Sequence, residues 1–200
     1  MQHLVLIALI SGAIGTGIGG VVGIILGRFG ARFFKVFLWL AAAVMVWVSV
    51  FELLPKSFES GGFVAAVGGA IMGGLFVWGL SPGKKDKSLR RVGLAIFVAI
   101  VLHDFPEGLA LGAGYHTEIS LVLGLVILLH NIPEGMAIAL PLRLDEVRVW
   151  KILVIAFVAG LPTLFGAIVG FYIGFNSGLI AYTFSFAAGA MLWVVLWEMT

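Results

Sequence analysis

Apolar stretches follow one another along the whole chain, parted only by short breaks of Gly, Pro, Ser or charge. Seven can be marked, at 3–27, 33–54, 62–80, 92–115, 118–141, 150–174 and 178–199. Each is close to the ~20 residues that carry a helix across a bilayer. In lipid the backbone must satisfy its own hydrogen bonds, which leaves helices or closed barrels. No ten-residue alternation of a barrel strand is present, so the chain reads as an all-α integral membrane protein. Charged residues make up 11% of it, where a soluble domain would carry about a quarter. The seven spans use the full length as a single transmembrane domain, 1–200, with no soluble module.

Charge sets the orientation. Eleven of the twelve Lys and Arg fall in three alternate loops: Arg28, Arg32 and Lys35; Lys84, Lys85, Lys87, Arg90 and Arg91; Arg143, Arg148 and Lys151. Only Lys56 lies on the other side. The positive-inside rule puts those loops in the cytoplasm and the N-terminus outside, extracellular or periplasmic, in a multi-pass protein of the cell membrane. The sequence pI near 9.1 therefore reflects topology, and nucleic acid is not a partner. The N-terminus lacks a basic leader region and its apolar run is too long for a signal peptide, so it is taken as the first span.

Two copies of one polar motif interrupt the middle of the fourth and fifth spans: His103-Asp104-Phe105-Pro106-Glu107-Gly108 and His130-Asn131-Ile132-Pro133-Glu134-Gly135. Ionisable groups are costly in hydrocarbon and mark a path or a bound ion there. The midpoint of the two motifs falls at Glu118 and Ile119, beside the polar turn Tyr115-His116-Thr117-Glu118. A hairpin turning there sets both motifs at one depth, about 13 residues or ~20 Å along each helix. His103 then lies level with Glu134, and Glu107 with His130. Within each motif, His and Glu are four apart and share a helix face. Pro106 and Pro133 each remove an amide donor and are expected to bend or open their helices, as at the ion sites of transporters.

A second repeat flanks this hairpin. Ala43-Val44-Met45-Val46-Trp47-Val48 with Glu52 matches Gly189-Ala190-Met191-Leu192-Trp193-Val194 with Glu198, seven residues from Met to Glu in both. The second span runs outward and the seventh inward, so like sequence runs in opposite directions. That is the signature of an inverted-topology repeat. The plan is three spans, a two-helix hairpin and three spans, with the last helix expected to follow Thr200. Glycines four apart, Gly15, Gly19, Gly23 and Gly27 on the first span and Gly166, Gly170 and Gly174 on the sixth, are expected to bring helix backbones close.

The donors in the two motifs are two imidazoles, three carboxylates and the Asn131 amide. With no cysteine in the chain, thiolate ligation is excluded. This set suits borderline first-row dications better than sodium or potassium. Zinc accepts such a mixture without strong geometric demand, and iron(II), manganese and cadmium also fit. The metal is the substrate, and no cofactor is implied. Protons must compete for it, since imidazole binds metal when neutral and carboxylate when ionised.

These residues resemble the Zrt-, Irt-like protein family of zinc and iron transporters, ZIP. Both motifs are similar to that family's His-Asn-x-Pro-Glu-Gly. Met45 through Pro55 is similar to its Met…Glu-Leu-Leu-Pro, and Ala187 to Met191 to its Ala-Ala-Gly-Ala-Met. The resemblance implies a binuclear centre within helices two, four, five and seven. It implies one ion held by His103, Glu107, His130 and Glu134 with the Met45 sulfur nearby. A second is implied at Asp104 and Asn131, with the two glutamates as bridges. Transport toward the cytoplasm is carried over in the same way. Members have eight helices, so this chain is expected to lack an outer one, with a homodimer contact covering the gap. Some relatives carry a Glu on the sixth helix where Thr163 stands, and many have a His-rich loop where 81–91 has none.

Blander roles compete at some positions. Met in an apolar helix is ordinary filling most of the time, so Met45 rests on its position and the resemblance. Glu52 and Glu198, near the ends of their helices, are either solvated ends or pathway groups that attract cations. Trp39, Trp47, Trp78, Trp193 and Trp197 read as lipid-facing or interfacial. The rival class, an intramembrane metal-dependent hydrolase, needs an open ligand position and a separate base. No His-Glu-x-x-His and no serine beside the histidines supplies them, and the chain is read as a transporter rather than an enzyme.

Overall fold

The computed structural model describes residues 1–29, 31–80, 88–115, 119–173 and 177–198. Loop 81–87, the turn residues His116 to Glu118 and Gly174 lie outside this set, as does the side chain of Glu198. The described residues are helical almost throughout. The first span, α1 (Gln2–Leu26), carries a π-helical turn at Ile10–Ile14. The second, α2 (Ala31–Trp47), passes through a π segment, Val48–Leu53, into α3 (Leu54–Leu80). The motif helices are α4 (Leu89–Ala113) and α5 (Ile119–Leu144). The sixth span is α6 (Val149–Ala159) and α7 (Leu161–Ile173), stepped at Gly160, and the seventh is α8 (Ser177–Glu198).

By length and hydropathy six segments among the described residues can cross a membrane, one of them the 38 residues Ala42–Gly79. A straight helix of that length would run nearly twice the ~30 Å hydrocarbon core. It is in fact broken at Gly62, where φ is 72° and ψ −173°, a conformation glycine adopts without the steric penalty of a Cβ. The contacts establish a reversal there. From Ser49 to Ser57 the partners on α8 run backward, from Met191 to Ala181. From Gly61 to Gly73 they run forward, from Ala181 to Phe186. The second span is thus antiparallel to the seventh and the third parallel to it, which restores seven spans.

The repeat expected from Met45 and Met191 extends into the packing. A Cβ on Gly135 would strike the backbone of Thr16 and Gly20 on α1; a Cβ on Gly108 would strike that of Thr163 and Ala167 on α7. Thr16 and Thr163 are 147 residues apart, as are Gly20 and Ala167. Each motif helix therefore leans on one outer helix through its own glycine, in equivalent ways. Gly19 and Gly23 face α5, and Gly166 and Gly170 face α4, at backbone contact, the close approach that small residues permit in lipid. The buried apolar core lies among α2, α4, α5 and α8 and includes Met45, Ile96, Ile100, Ile138 and Met191. Trp39, Trp47, Trp78 and Trp197 are exposed on the outside of the bundle, where lipid would lie.

One expectation differs in detail. The helices are not opened at Pro106 or Pro133; both prolines sit inside continuous helix. Among the described residues, π-helical turns fall instead on the first and second spans. The first of these turns contains Ser11, whose carbonyl serves the site.

Candidate metal site

His103, Asp104, Asn131 and Glu134 have no exposed surface, and Glu107 and His130 almost none. The hairpin register anticipated from the midpoint of the two motifs holds side chain by side chain. Glu107 Oε2 lies 2.9 Å from His130 Nε2 across the hairpin, and Glu107 Oε1 lies 2.9 Å from His103 Nε2 one turn back on α4. Glu134 Oε1 is 3.6 Å from His103 Nε2. The contact between His130 and Glu107 is a hydrogen bond; that between His103 and Glu107 is close but misaligned for one. The two imidazole rings have centroids 5.9 Å apart.

Many of the polar atoms here have no protein partner. Both oxygens of Asp104, both of Glu134, Nδ1 of His103 and of His130, and Oδ1 of Asn131 are buried without a hydrogen bond. An unsatisfied buried polar group costs about 1–3 kcal/mol, and a charged one more. Buried carboxylates are retained when paired or when they coordinate metal. Two sets of ligand atoms, each within 4.8 Å of one another, are already assembled: His103, His130 and Glu134, and His103, Asp104 and Glu107. These sets share His103, whereas the resemblance divides the ligands through shared glutamates.

Three contacts or placements at the site go beyond the sequence reading. Asn131 Nδ2 donates to the Ser11 carbonyl at 2.9 Å, inside the π turn of α1. That bond fixes the amide so that Oδ1 is left for a ligand. Thr163 is fully buried, and its hydroxyl has no hydrogen-bond partner. Glu52 pairs with Lys56 at 2.8 Å, a contact their i, i+4 spacing could have disclosed. Met45 is fully buried in the apolar core, as is Met191, whose sulfur accepts from Ser49 Oγ at 3.7 Å.

A helical bundle with inverted repeats, holding imidazole and carboxylate between kink-prone helices, defines a multi-pass membrane protein with a buried site of metal-ligating type. The family described as ZIP Zinc transporter matches residues 79–200, and the chain belongs to that family. It is 32% identical over 229 residues to the zinc transporter ZupT of Chlorobium phaeovibrioides, covering 97% of this chain and 85% of that protein. It is likewise 32% identical over 200 residues to ZupT of Chlorobium luteolum, covering 85% and 75%. With the zinc transporter GufA of Myxococcus xanthus it shares 35% identity over 150 residues, 66% and 58% of the two chains.

Proposed function

We propose that this protein moves divalent metal cations, zinc foremost, across the membrane into the cytoplasm. His103, Glu107, His130 and Glu134 hold one ion. Asp104 and Asn131 hold a second, with the same two glutamates as bridges, and the Met45 sulfur stands near the first. The observation that carries this reading is the convergence of six buried donors whose free oxygens and nitrogens have no protein partner. Relatives named as zinc transporters support it. The donor chemistry admits iron(II), manganese and cadmium as well.

Inverted repeats around a midplane site favour a carrier that rocks between outward and inward access over a static pore. The basic loops favour a cytoplasmic position for one face and an external N-terminus. A homodimer belongs to the same reading. The role is transport and not catalysis: the ion is cargo, and the buried ionisable groups gathered here are its ligands.

Uptake of radioactive zinc or cadmium into vesicles holding the pure protein tests this directly. Replacing His103 or Glu134 by Ala abolishes uptake while the protein still folds. Full flux in those variants sinks the proposal.

A further inference from the structure

Lys56 is the one Lys or Arg outside the three basic loops, and it stands near a passage toward the site. A narrow cavity of about 10 Å³ has Glu107 in its wall at the buried end and Glu52 with Lys56 at the surface. Leu53, Ala110, Leu123, Ile127 and Phe184 make up the rest of its wall. A water needs about 10–15 Å³ of such space, so this passage holds one water at most. A hydrated dication cannot pass until the apolar wall yields.

The surface end is electrically shut as well. Lys56 Nζ lies 2.8 Å from Glu52 Oε1 and 6.0 Å from the centre of the Phe184 ring. With the ammonium on it, Glu52 offers no net charge to a cation arriving from solution. The hold is weak, because Lys56 is 43% exposed and such pairs contribute about 0–1 kcal/mol. A doubly charged ion can therefore displace the ammonium. Glu52 also belongs to the π segment Val48–Leu53, and π turns in helices often fall at functional positions.

We propose that Glu52 and Lys56 form a cation latch at the mouth facing away from the basic loops. The incoming metal replaces Lys56 on Glu52, Phe184 loses its ammonium neighbour, and the ion passes down the apolar wall to Glu107. Lys56 sets how readily the carrier loads and has no part in binding at the midplane. This inference rests on the metal-transport reading above.

The test compares Lys56→Gln, Glu52→Gln and the double variant for zinc uptake, separating KM from maximal rate. Zinc binding to each purified protein is measured by calorimetry. Lys56→Gln lowers KM about three- to tenfold, the order expected for removing one charge ~6 Å from a dication in a wet site. Its maximal rate and midplane affinity stay as they were. Glu52→Gln raises KM, and the double variant behaves like Glu52→Gln because Lys56 acts through that carboxylate. The chain has no cysteine, so Ala110→Cys provides a single thiol in the passage. A cationic thiol reagent modifies it faster when Lys56→Gln is added. An unchanged KM, an equal fall in KM when Glu52 is already Gln, or an unchanged thiol rate each overturns the latch. Failure of the transport reading is separate, since then His103→Ala would carry zinc at full rate whatever Lys56 does.

Discussion

His130 Nε2 lies 2.9 Å from Glu107 Oε2, across a hairpin whose two helices contribute the same motif in opposite directions. The same glutamate reaches His103 through its other oxygen at 2.9 Å. Glu107 thus touches both imidazoles, while Glu134 comes no nearer to His103 than 3.6 Å and lies within 4.8 Å of His130. Two nearly identical motifs consequently do not contribute equally.

Glu107→Gln keeps the shape of the side chain and removes its charge, so it separates position from electrostatics. Zinc affinity of the purified protein falls by at least the 10–100-fold typical of a lost partner of a metal-ligating His, and uptake falls with it. Glu134→Gln lowers affinity too, but leaves the hydrogen bond from His130 to Glu107 in place. Calorimetric titration of the two variants side by side checks the order. Equal retention of affinity in Glu107→Gln would remove this residue from the ion's surroundings.

Acid works against loading. An imidazole that takes a proton cannot ligate, and a carboxylate that takes one loses the charge that attracts the cation. Uptake by the wild-type protein is therefore expected to fall as the pH drops through the range where free imidazole and then carboxylate titrate. Initial rates in vesicles of equal internal and external pH read this without a proton gradient. A flat profile would separate metal binding from both residue types.

How far the sequence carries can be judged at particular residues. The pairing of His103 with Glu134 and of Glu107 with His130 was legible because a hairpin's register follows from where it turns. The α1 and α7 glycines were legible as packing because i, i+4 spacing fixes a helix face. The tether of Asn131 to Ser11 was not, because it joins a side chain to a backbone carbonyl 120 residues earlier, in a π turn, and no local pattern announces such a pairing. The prolines drew attention to α4 and α5 for irregular backbone, yet both stay helical. A neighbouring bundle can absorb a missing amide, so proline alone does not locate an opening.

The glycine contacts separate packing from propensity. A Cβ at Gly112 would collide with the backbone of Ala167 and Phe171 on α7, whereas a Cβ at Gly68 meets nothing within 4 Å. Gly112→Ala is expected to force α4 from α7 and destabilise by about 1–3 kcal/mol, the usual cost of overpacking. Gly68→Ala costs nothing in space and favours the helix by about 0.5–1 kcal/mol. Thermal unfolding in detergent, followed by helical circular dichroism, should move in opposite directions for the two. A shift of the same sign and size would refute the close approach of α4 and α7.

Asn131 offers the sharpest contrast between the two motifs, because Asp104 occupies the matching position. In Asn131→Asp the oxygen left for an ion is retained, but the donor to the Ser11 carbonyl becomes a second oxygen. Two acceptors then face one another without water, at a cost of about 1–3 kcal/mol or more for the charged form. The variant should unfold at lower temperature than wild type when no metal is added. Saturating zinc should narrow that difference, since a ligand that binds only the folded state stabilises it in proportion to the logarithm of its excess over Kd. Asn131→Ala lacks both the tether and the ligand oxygen, so zinc should recover less of its stability. Melting temperatures of the three proteins with and without zinc decide the matter. If zinc raised all three equally, Asn131 would be a structural strut between α5 and α1 and not a ligand.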